Sequence, residues 1–254
     1  MATPTLPSPL SSSPFALLTS KLILFPSFLA CNTHSYRSLY RAVHANAAFC
    51  AMGFGDGWPA QTWTDEEARE WMMTHDVIKS WEKRNMGDFA MGLRTDEDKK
   101  ETSERFLGHD LRLLEGHEYA RCMENWERGI EEIEWIGYAG IRDAATTSMP
   151  DRTDSDKSLP HWLEMVELRY GVAPDYWGKG LARIGAEAVM LWGMKERGVK
   201  RYIAETEKEN FRSGRVLEKM GFKGLEGNEY WKDEGENEWG LSAAALVKRL
   251  SMTG

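Results

Sequence analysis

Hydrophobic residues follow two spacings along the chain, and each spacing predicts one kind of element. Short or alternating apolar runs predict strands, whereas apolar residues three or four positions apart predict helices. The predicted strands lie at residues 18–25, 88–94, 134–142, 162–172 and 200–206, and the tail after residue 223 holds one or two more, including 241–247. The predicted helices lie at residues 35–51, after Thr64, and at 181–197 and 210–220. This order indicates an α/β protein with a mixed sheet.

Capping residues support three of the predicted helices. Thr64 precedes an acidic turn, which favours a helix N-terminus at that point. Asn210 is a good N-cap for the helix that follows it. Gly198 and Gly221 stand where two of the apolar patterns stop, as glycine does at many helix C-termini.

Three polar segments interrupt these elements. Residues 1–15 are rich in Ser, Pro and Thr, so we expect a disordered arm there, followed by a single domain over residues 16–250. Residues 95–131 carry dense charge, which favours a solvated helical insertion over a binding element. The loop at residues 144–160 is long for a connection within one domain, and the sequence leaves open whether it is a lid or a length-variable insertion.

Charge and composition narrow the possible partners. The chain has 254 residues, with 40 acidic against 32 basic side chains and a formal charge of −8. This balance argues against a nucleic-acid binder that works by bulk phosphate attraction. The three cysteines form no C-x-x-C pair and the six histidines are scattered, so we expect no metal and a reducing, cytoplasmic setting, with the nucleus still open. The apolar run 22–31 is too short to span a membrane, so we expect no membrane partner.

The segment with the clearest chemistry is residues 166–182, where a strand, a glycine-containing turn and a helix follow one another. Gly178 and Gly180 allow the backbone to approach a ligand closely. The helix N-terminus offers free N–H groups to an anion, and Lys179 adds a positive charge, so a phosphate or pyrophosphate fits this place. A P-loop is excluded because Gly180 follows the lysine, and a dinucleotide fingerprint lacks its third glycine because position 183 is Arg183.

Two motifs together point to one superfamily. Residues 177–182, Trp-Gly-Lys-Gly-Leu-Ala, resemble the Q/R-x-x-G-x-G/A pyrophosphate loop of the GNAT acetyltransferases. Residues 209–222 resemble the N-x-x-S-x-R-x-L-E-K-x-G-F signature of the same superfamily. Glu167 and the pair Tyr176-Trp177 are similar to the RimJ/RimL type, which acetylates protein N-terminal amines. Close resemblance covers residues 132–223.

The resemblance implies a fold, a co-substrate and a set of contacts. The fold would be α/β (α+β), with a mixed, mostly antiparallel sheet of about six to seven strands flanked by helices and splayed between its fourth and fifth strands. Acetyl-CoA would donate the acetyl group directly to an amine in a ternary complex, with pantetheine between the splayed strands. The residues implied in CoA binding are Tyr170, Val172, Trp177, Gly178, Lys179, Gly180, Leu181, Ala182 and Asn210.

The resemblance also implies two catalytic residues, each with a structural alternative. Glu167 would accept the proton of the ammonium, directly or through a water; alternatively it pairs with an arginine such as Arg169 or Arg142. Ser213 would donate a proton to the CoA thiolate, or simply stabilise the first turn of its helix. Asn210 would orient pantetheine or the acceptor, or serve only as the N-cap.

The chain departs from the family pattern at two positions. The pyrophosphate loop opens with Trp177 in place of Gln or Arg, and Leu217 stands where many relatives carry a tyrosine. The resemblance implies that the 3′-phosphate of CoA would be met by Arg212, Arg215 and Lys208; alternatively these residues form a solvated helix face.

Two functions follow from these observations. One is an N-acetyltransferase acting on a small-molecule amine or a protein N-terminus, working as a monomer or homodimer. The other is a degenerate CoA-binding protein with a regulatory or interaction role, which the charged insertion and the long loop motivate.

Overall fold

A computed structural model describes residues 13–55, 58–94, 111–124, 129–227 and 229–253 of the chain. Within these ranges, nine strands form one sheet in the order β4-β1-β2-β3-β5-β6-β7-β9-β8. The strands are β1 (Phe15–Leu18), β2 (Leu22–Pro26), β3 (Asp88–Leu93), β4 (Arg112–Glu115), β5 (Trp135–Asp143), β6 (Val166–Val172), β7 (Arg201–Glu207), β8 (Lys223–Gly224) and β9 (Glu236–Ser242).

Neighbouring strands are antiparallel except for β6 and β7, which are parallel. These two strands pair only where Val166 and Glu167 face Tyr202 and Ile203. Beyond that point β6 keeps β5 as its neighbour and β7 keeps β9, so the two strands separate. The predicted mixed, mostly antiparallel sheet with a splay between its fourth and fifth predicted strands is confirmed, although the described part of the chain has nine strands instead of six to seven.

The helices lie on both faces of the sheet. They are α1 (Ser27–Ala30), α2 (His34–His44), α3 (Ala47–Phe54), α4 (Asp65–Met72), α5 (Glu82–Arg84), α6 (Gly116–Glu124), α7 (Ala144–Thr147), α8 (Leu181–Arg197), α9 (Phe211–Met220) and α10 (Ala243–Thr253). A π-helix at Met73–Trp81 joins α4 to α5, and short 3₁₀ turns lie at Ile130–Glu132, Trp162–Glu164 and Pro174–Tyr176.

Side chains alternate between the two faces of the sheet and form two main cores. On one face, α8 packs against β5 and β6, and Leu22 and Leu24 of β2 belong to this core. On the other face, α2, α3 and α4 cover an aromatic core that includes Phe25, Tyr40 and Tyr138. The sheet is therefore buried on both faces, and only its edges and the gap between β6 and β7 are open to a ligand.

The strongest local signals predicted their elements well. The helix α8 has the predicted bounds, and Gly198 ends it with a φ of +72°. The Asn210 side chain accepts a hydrogen bond from the Ser213 N–H, so its N-cap role is confirmed. Thr64 and Glu67 form a reciprocal capping box at the start of α4.

Three predicted elements differ from the structure. The first predicted strand, residues 18–25, belongs to a hairpin of β1 and β2, whose turn is closed by Thr19 accepting from the Leu22 N–H at 2.8 Å. The predicted helix 35–51 is two helices, because Asn46 caps a new one by accepting from the Phe49 N–H.

In the tail, the predicted strand at residues 241–247 is wrong. The strand β9 ends at Ser242, and the helix α10 begins at Ala243. Three consecutive alanines and the following leucine favour a helix over a strand at this point. The strand β9 lies earlier, at Glu236–Ser242. Most of its residues are polar, so no apolar run in the sequence indicates a strand there.

The sequence leaves open the role of two segments, residues 95–131 and 144–160, and the structure shows what part of each contacts. Residues 95–110 and 125–128 of the charged insertion lie outside the described residues. Of the rest, β4 pairs with β1 and buries Leu114, so this part is not only a solvated helix. The 144–160 loop contacts the segment before β9: Arg152 donates to the Glu229 carbonyl at 2.8 Å, and Lys232 pairs with Asp156. The disordered arm predicted at 1–15 lies outside the described residues up to residue 12, and β1 begins at Phe15.

Across the described ranges, none of the helices combines the length and the apolar character that a membrane span requires.

The contact between α8 and β5 generates a prediction about packing. A Cβ atom at Gly193 would overlap Ile141 Cδ1, because the helix lies directly on the strand. Gly193→Ala gains helix propensity of about 1 kcal/mol, but overpacking of this kind costs about 1–3 kcal/mol. We expect a net loss of unfolding free energy in urea titrations. Gly214→Ala in α9 is the control, because its Cβ would meet Trp239 at 3.4 Å, an ordinary contact distance; an equal loss in both variants would contradict the prediction.

Candidate active site

The separation of β6 from β7 opens a cavity of about 1020 Å³. The residues that line it come from α3, from β5, β6 and β7, from the segment 176–180, from the first turn of α8 and from α9. Backbone groups on the facing edges of the two strands have no strand partner beyond Glu167 and Ile203. The cavity therefore offers an extended ligand both hydrogen-bonding backbone and apolar walls.

One end of the cavity is the glycine loop in front of α8. Gly178 and Gly180 both have a φ of +77°, and a Cβ at either would meet no protein atom within 4 Å. Gly180 is the N-cap of α8, and no side chain caps this helix. The first helical hydrogen bond is from the Ile184 N–H to the Gly180 carbonyl, so the N–H groups of the first turn, including those of Leu181 and Ala182, remain available to a ligand. This geometry fits a pyrophosphate group.

Trp177 lies between the glycine loop and α9. Its indole N–H donates to the Val172 carbonyl at 2.6 Å, so this carbonyl, one of the groups predicted to meet pantetheine, already has a donor within the protein. The Arg212 guanidinium lies 4.8 Å from the centre of the Trp177 ring. Lys179 is placed similarly, with Nζ 5.0 Å from the centre of the Tyr176 ring. Two cations thus lie on aromatic side chains near the glycine loop.

The opposite wall is the start of α9. Asn210 accepts from the Ser213 N–H at 3.0 Å and donates to the Met52 carbonyl of α3 at 2.6 Å, so it joins the two helices that flank the cavity. The Tyr170 hydroxyl reaches across from β6 and donates to the Ser213 carbonyl at 3.2 Å. Ser213 and Tyr170 both line the cavity, so this wall carries two hydroxyl groups.

Glu167 lies where β6 and β7 begin to separate, and it is buried and ion-paired. Arg142 donates to both of its carboxylate oxygens, at 2.7 and 2.8 Å, and the Ser148 hydroxyl donates to it as well. Burial alone would raise the pKa of Glu167, but Arg142 and Ser148 outweigh burial and hold it below its ordinary value. Of the two interpretations left open by the sequence, this geometry supports the arginine-paired carboxylate and does not support the base.

A second arginine, Arg169, lies on the same face of β6. It is 3.6 Å from Asp88 and 5.1 Å from the centre of the Tyr138 ring. Asp88 in turn donates its N–H to Asp76 of the π-helix at 3.0 Å. Both arginines of this face are therefore engaged by carboxylates of the protein.

Sequence reasoning missed one functional candidate, Glu205 of β7. It is half-buried and lines the cavity. Burial raises the pKa of Glu205 far above its ordinary value, and the carboxylates of Glu167 and Glu236 raise it further. The sequence feature that could have indicated Glu205 is an acidic residue near the end of a strand whose other positions are mostly apolar or buried.

Of the remaining basic candidates, Arg212 and Arg215 line the cavity. Lys208 instead donates to the Glu234 carbonyl, on the far side of β7. In the described part of the chain, no group of three or more His, Cys, Asp or Glu side chains is placed to hold a metal ion.

The sequence of this chain matches the family described as acetyltransferase (GNAT) domain over residues 34–223, which is more than half of its length. The chain belongs to the GNAT family. The pyrophosphate loop and the helix signature on which the resemblance was based both lie within the matched residues, at the two ends of the same cavity.

Individual relatives of this GNAT chain are distant. It is 28% identical over 98 residues to the FsC-acetyl coenzyme A-N(2)-transacetylase of Aspergillus fumigatus, covering 39% of this chain and 38% of that protein. It is 36% identical over 75 residues to the uncharacterized N-acetyltransferase YnaD of Bacillus subtilis, covering 26% of this chain and 44% of YnaD. The chain thus spans less than half the length of these curated relatives.

A solved structure shares the fold of this GNAT chain. It is RimL, a ribosomal L7/L12 alpha-N-protein acetyltransferase in complex with coenzyme A. The TM-score is 0.52 with 12% identity, and the alignment covers 89% of this chain and 96% of RimL.

The buried ion pair of Glu167 generates a prediction about stability. Glu167→Ala leaves the Arg142 cation in a site where only 14% of its side chain is exposed, and breaking such a pair typically costs about 3–5 kcal/mol. We expect a loss of that order in urea unfolding at pH 7.

The matched control is Glu164→Ala. Glu164 is 3.2 Å from Lys200, but the two side chains are 42% and 64% exposed, so we expect a change below about 1 kcal/mol. A similarly small change for Glu167→Ala would show that the Arg142–Glu167 pair does not hold in solution.

Proposed function

We propose that this GNAT chain is an acetyl-CoA-dependent N-acetyltransferase that transfers the acetyl group to a primary amine by direct attack in a ternary complex. The observation that carries the proposal is the uncapped N-terminus of α8, whose glycine loop faces the cavity between the separated strands. A pyrophosphate at this loop places the rest of an extended CoA molecule along the gap between β6 and β7. Gly178, Lys179, Gly180, Leu181 and Ala182 hold the pyrophosphate, and Tyr170, Val172, Trp177 and Asn210 border the extended part.

The acceptor amine approaches from the other end of the cavity. Phe49, Phe54 and Tyr138 line this end together with the carboxylates of Glu167 and Glu205. Aromatic walls with carboxylates suit an ammonium group carried on an apolar or peptide body. The acceptor is a small-molecule amine or a protein N-terminus of the kind that RimJ/RimL-type enzymes acetylate.

The leaving group of the reaction is the CoA thiolate. Ser213 is the proposed proton donor to it, because its position in the helix signature matches the family motif and it lines the cavity. The Tyr170 hydroxyl lies on the same wall and is the second O–H group near that path. Since a thiol has a pKa near 8.5, the thiolate leaves readily, so the contribution of either donor is modest.

A second candidate function is a CoA-binding protein without transferase activity. The observation that favours it is the engagement of Glu167 by Arg142 and Ser148, together with Leu217 in place of the usual tyrosine. The two functions differ in turnover. A transferase releases CoA when acetyl-CoA and an amine are both present, whereas a binding protein does not.

The binding prediction uses two glycines with the same backbone strain. Gly180 and Gly198 lie at the two ends of α8 with φ values of +77° and +72°, and neither has protein atoms within 4 Å of its Cβ position. Gly180→Leu and Gly198→Leu therefore carry similar conformational costs, about 1–2 kcal/mol. Only the leucine at position 180 blocks the phosphate site.

We expect wild type and Gly198→Leu to be stabilised by acetyl-CoA in thermal unfolding, and Gly180→Leu not to be. Ligand at one hundred times its Kd adds about 2.7 kcal/mol of stability. ATP and NADH at the same concentration serve as controls. Equal stabilisation of the two variants would overturn the assignment of the glycine loop, and CoA release with a panel of amines then separates the transferase from the binding protein.

A further inference from the structure

The glycine loop in front of α8 offers backbone N–H groups to an anion, but its own cation points elsewhere. Lys179 is the one basic residue of the segment 176–180, and it is not among the described residues that line the cavity. Its Nζ lies 5.0 Å from the centre of the Tyr176 ring, whose hydroxyl donates to Glu134 at 2.7 Å. A pyrophosphate in CoA carries negative charge on both phosphate groups, so we expect a counter-cation from another element.

The α8 and α9 side of the cavity carries four basic side chains, which are Arg183, Arg212, Arg215 and Lys219. Arg183 already faces a carboxylate, because Glu187 of the same helix lies 4.0 Å away. The other three are on α9 at spacings of three and four residues, so they share one face of that helix. Given a rise of about 1.5 Å per residue, Arg215 and Lys219 lie about 4.5 and 10 Å further along the axis than Arg212.

Arg212 is the α9 cation that contacts the glycine loop. Its guanidinium carbon is 4.8 Å from the centre of the Trp177 ring, and Trp177 directly precedes Gly178. Among the described residues, no carboxylate lies within ion-pair distance of Arg212, whereas both arginines at the other end of the cavity are paired with carboxylates. The positive charge of Arg212 is therefore available to a ligand.

The ring of Trp177 is a fixed support for this arginine. The indole N–H donates to the Val172 carbonyl at 2.6 Å, and the side chain packs against both main cores. An arginine can lie on a ring and bind phosphate at once, because its face contacts the ring while its five N–H donors lie in the guanidinium plane. Trp177 thus restricts the position of Arg212 without using its hydrogen-bond donors.

We propose that Arg212, positioned by Trp177, is the cation that binds the pyrophosphate of CoA. The assignment rests on the proposed function, because it takes CoA as the ligand of the cavity. The N–H groups at the start of α8 bind the pyrophosphate from one side, and Arg212 binds it from the other. This accounts for a tryptophan at the position where the family pattern has Gln or Arg: α9 supplies the cation, and Trp177 holds it in place.

The two parts of this binding site belong to opposite sides of the gap in the sheet. The helix α8 follows β6, and α9 follows β7. Backbone pairing joins these strands only as far as Glu167 and Ile203. A pyrophosphate bound by both helices connects the two sides beyond that point, so binding of CoA opposes a widening of the gap.

The 3′-phosphate is the other anionic group of CoA, and dephospho-CoA separates it from the pyrophosphate. Dephospho-CoA lacks the 3′-phosphate and keeps the pyrophosphate. An arginine that binds the pyrophosphate contributes to the affinity for both ligands. An arginine that binds the 3′-phosphate contributes to the affinity for CoA alone.

The test is a calorimetric titration of wild type and Arg212→Ala with CoA and with dephospho-CoA, neither of which allows turnover. We expect the substitution to weaken both ligands by about 10-fold or more, as for the loss of a hydrogen bond to a charged group. Lys248→Ala is the matched control, because Lys248 is an exposed cation on α10 outside the cavity. It removes the same charge, and we expect its affinities to equal those of wild type.

The positioning role of Trp177 is tested by a double-mutant cycle with the same titration. In the wild-type background we expect Trp177→Leu to weaken CoA by about 3-fold, as for an exposed cation–π contact. In the Arg212→Ala background we expect no further loss, because the ring then has no guanidinium to hold. A merely structural effect of Trp177 reduces the affinity equally in both backgrounds, and that result would overturn the positioning role.

The remaining outcomes separate this inference from the proposed function. Unchanged affinity of Arg212→Ala for both ligands overturns the assignment of Arg212, and so does a loss confined to CoA, which places the arginine at the 3′-phosphate. A wild-type protein that binds neither ligand at millimolar concentration overturns the proposed function and the inference together. Arg212 is exposed, so we expect the thermal midpoint of Arg212→Ala without ligand to stay close to that of wild type.

Discussion

The early end of pairing between β6 and β7 is the constraint on which the rest of the structure depends. After two residue pairs, β6 continues beside β5, and β7 continues beside β9. The helix α8 connects the two strands and lies so close to the sheet that a Cβ atom at Gly185 would overlap Met91 Sδ of β3 and one at Gly193 would overlap Ile141 Cδ1 of β5. A helix held this firmly against one half of the sheet leaves its N-terminus pointing into the gap. The cavity and the exposed helix N-terminus at its end therefore come from the same separation.

The two sides of the gap have different chemistry. On the α8 and α9 side, backbone N–H groups, glycines and two cations resting on aromatic rings favour a long anionic ligand. On the side of α2 and α3, arginines are present but are already engaged by carboxylates of the protein. Glu205 also lines this side of the cavity. Under the proposed function, the anionic donor binds on the first of these sides and the amine on the second.

The acceptor end is built from parts far apart in sequence. The 144–160 loop supplies Ser148 and is tied to the segment before β9 through Arg152 and Lys232. That segment supplies Trp231, which holds Ser148. The helix α3 closes the same end and is attached to α9 through Asn210. The long loop is therefore part of the wall that positions Glu167.

The sequence by itself determined the features that depend on neighbouring residues. The bounds of α8, the cap at Asn210, the glycine loop and the family could be predicted because caps, turns and helical spacing are local properties. Tertiary structure decided the rest. The strand β9 and the helix α10 were misplaced because β9 is polar and is held by pairing with β7, which no local pattern reveals. The partner of Glu167 was left open, and Glu205 was missed, because the ionisation of a carboxyl depends on groups from other strands that only the folded sheet brings together.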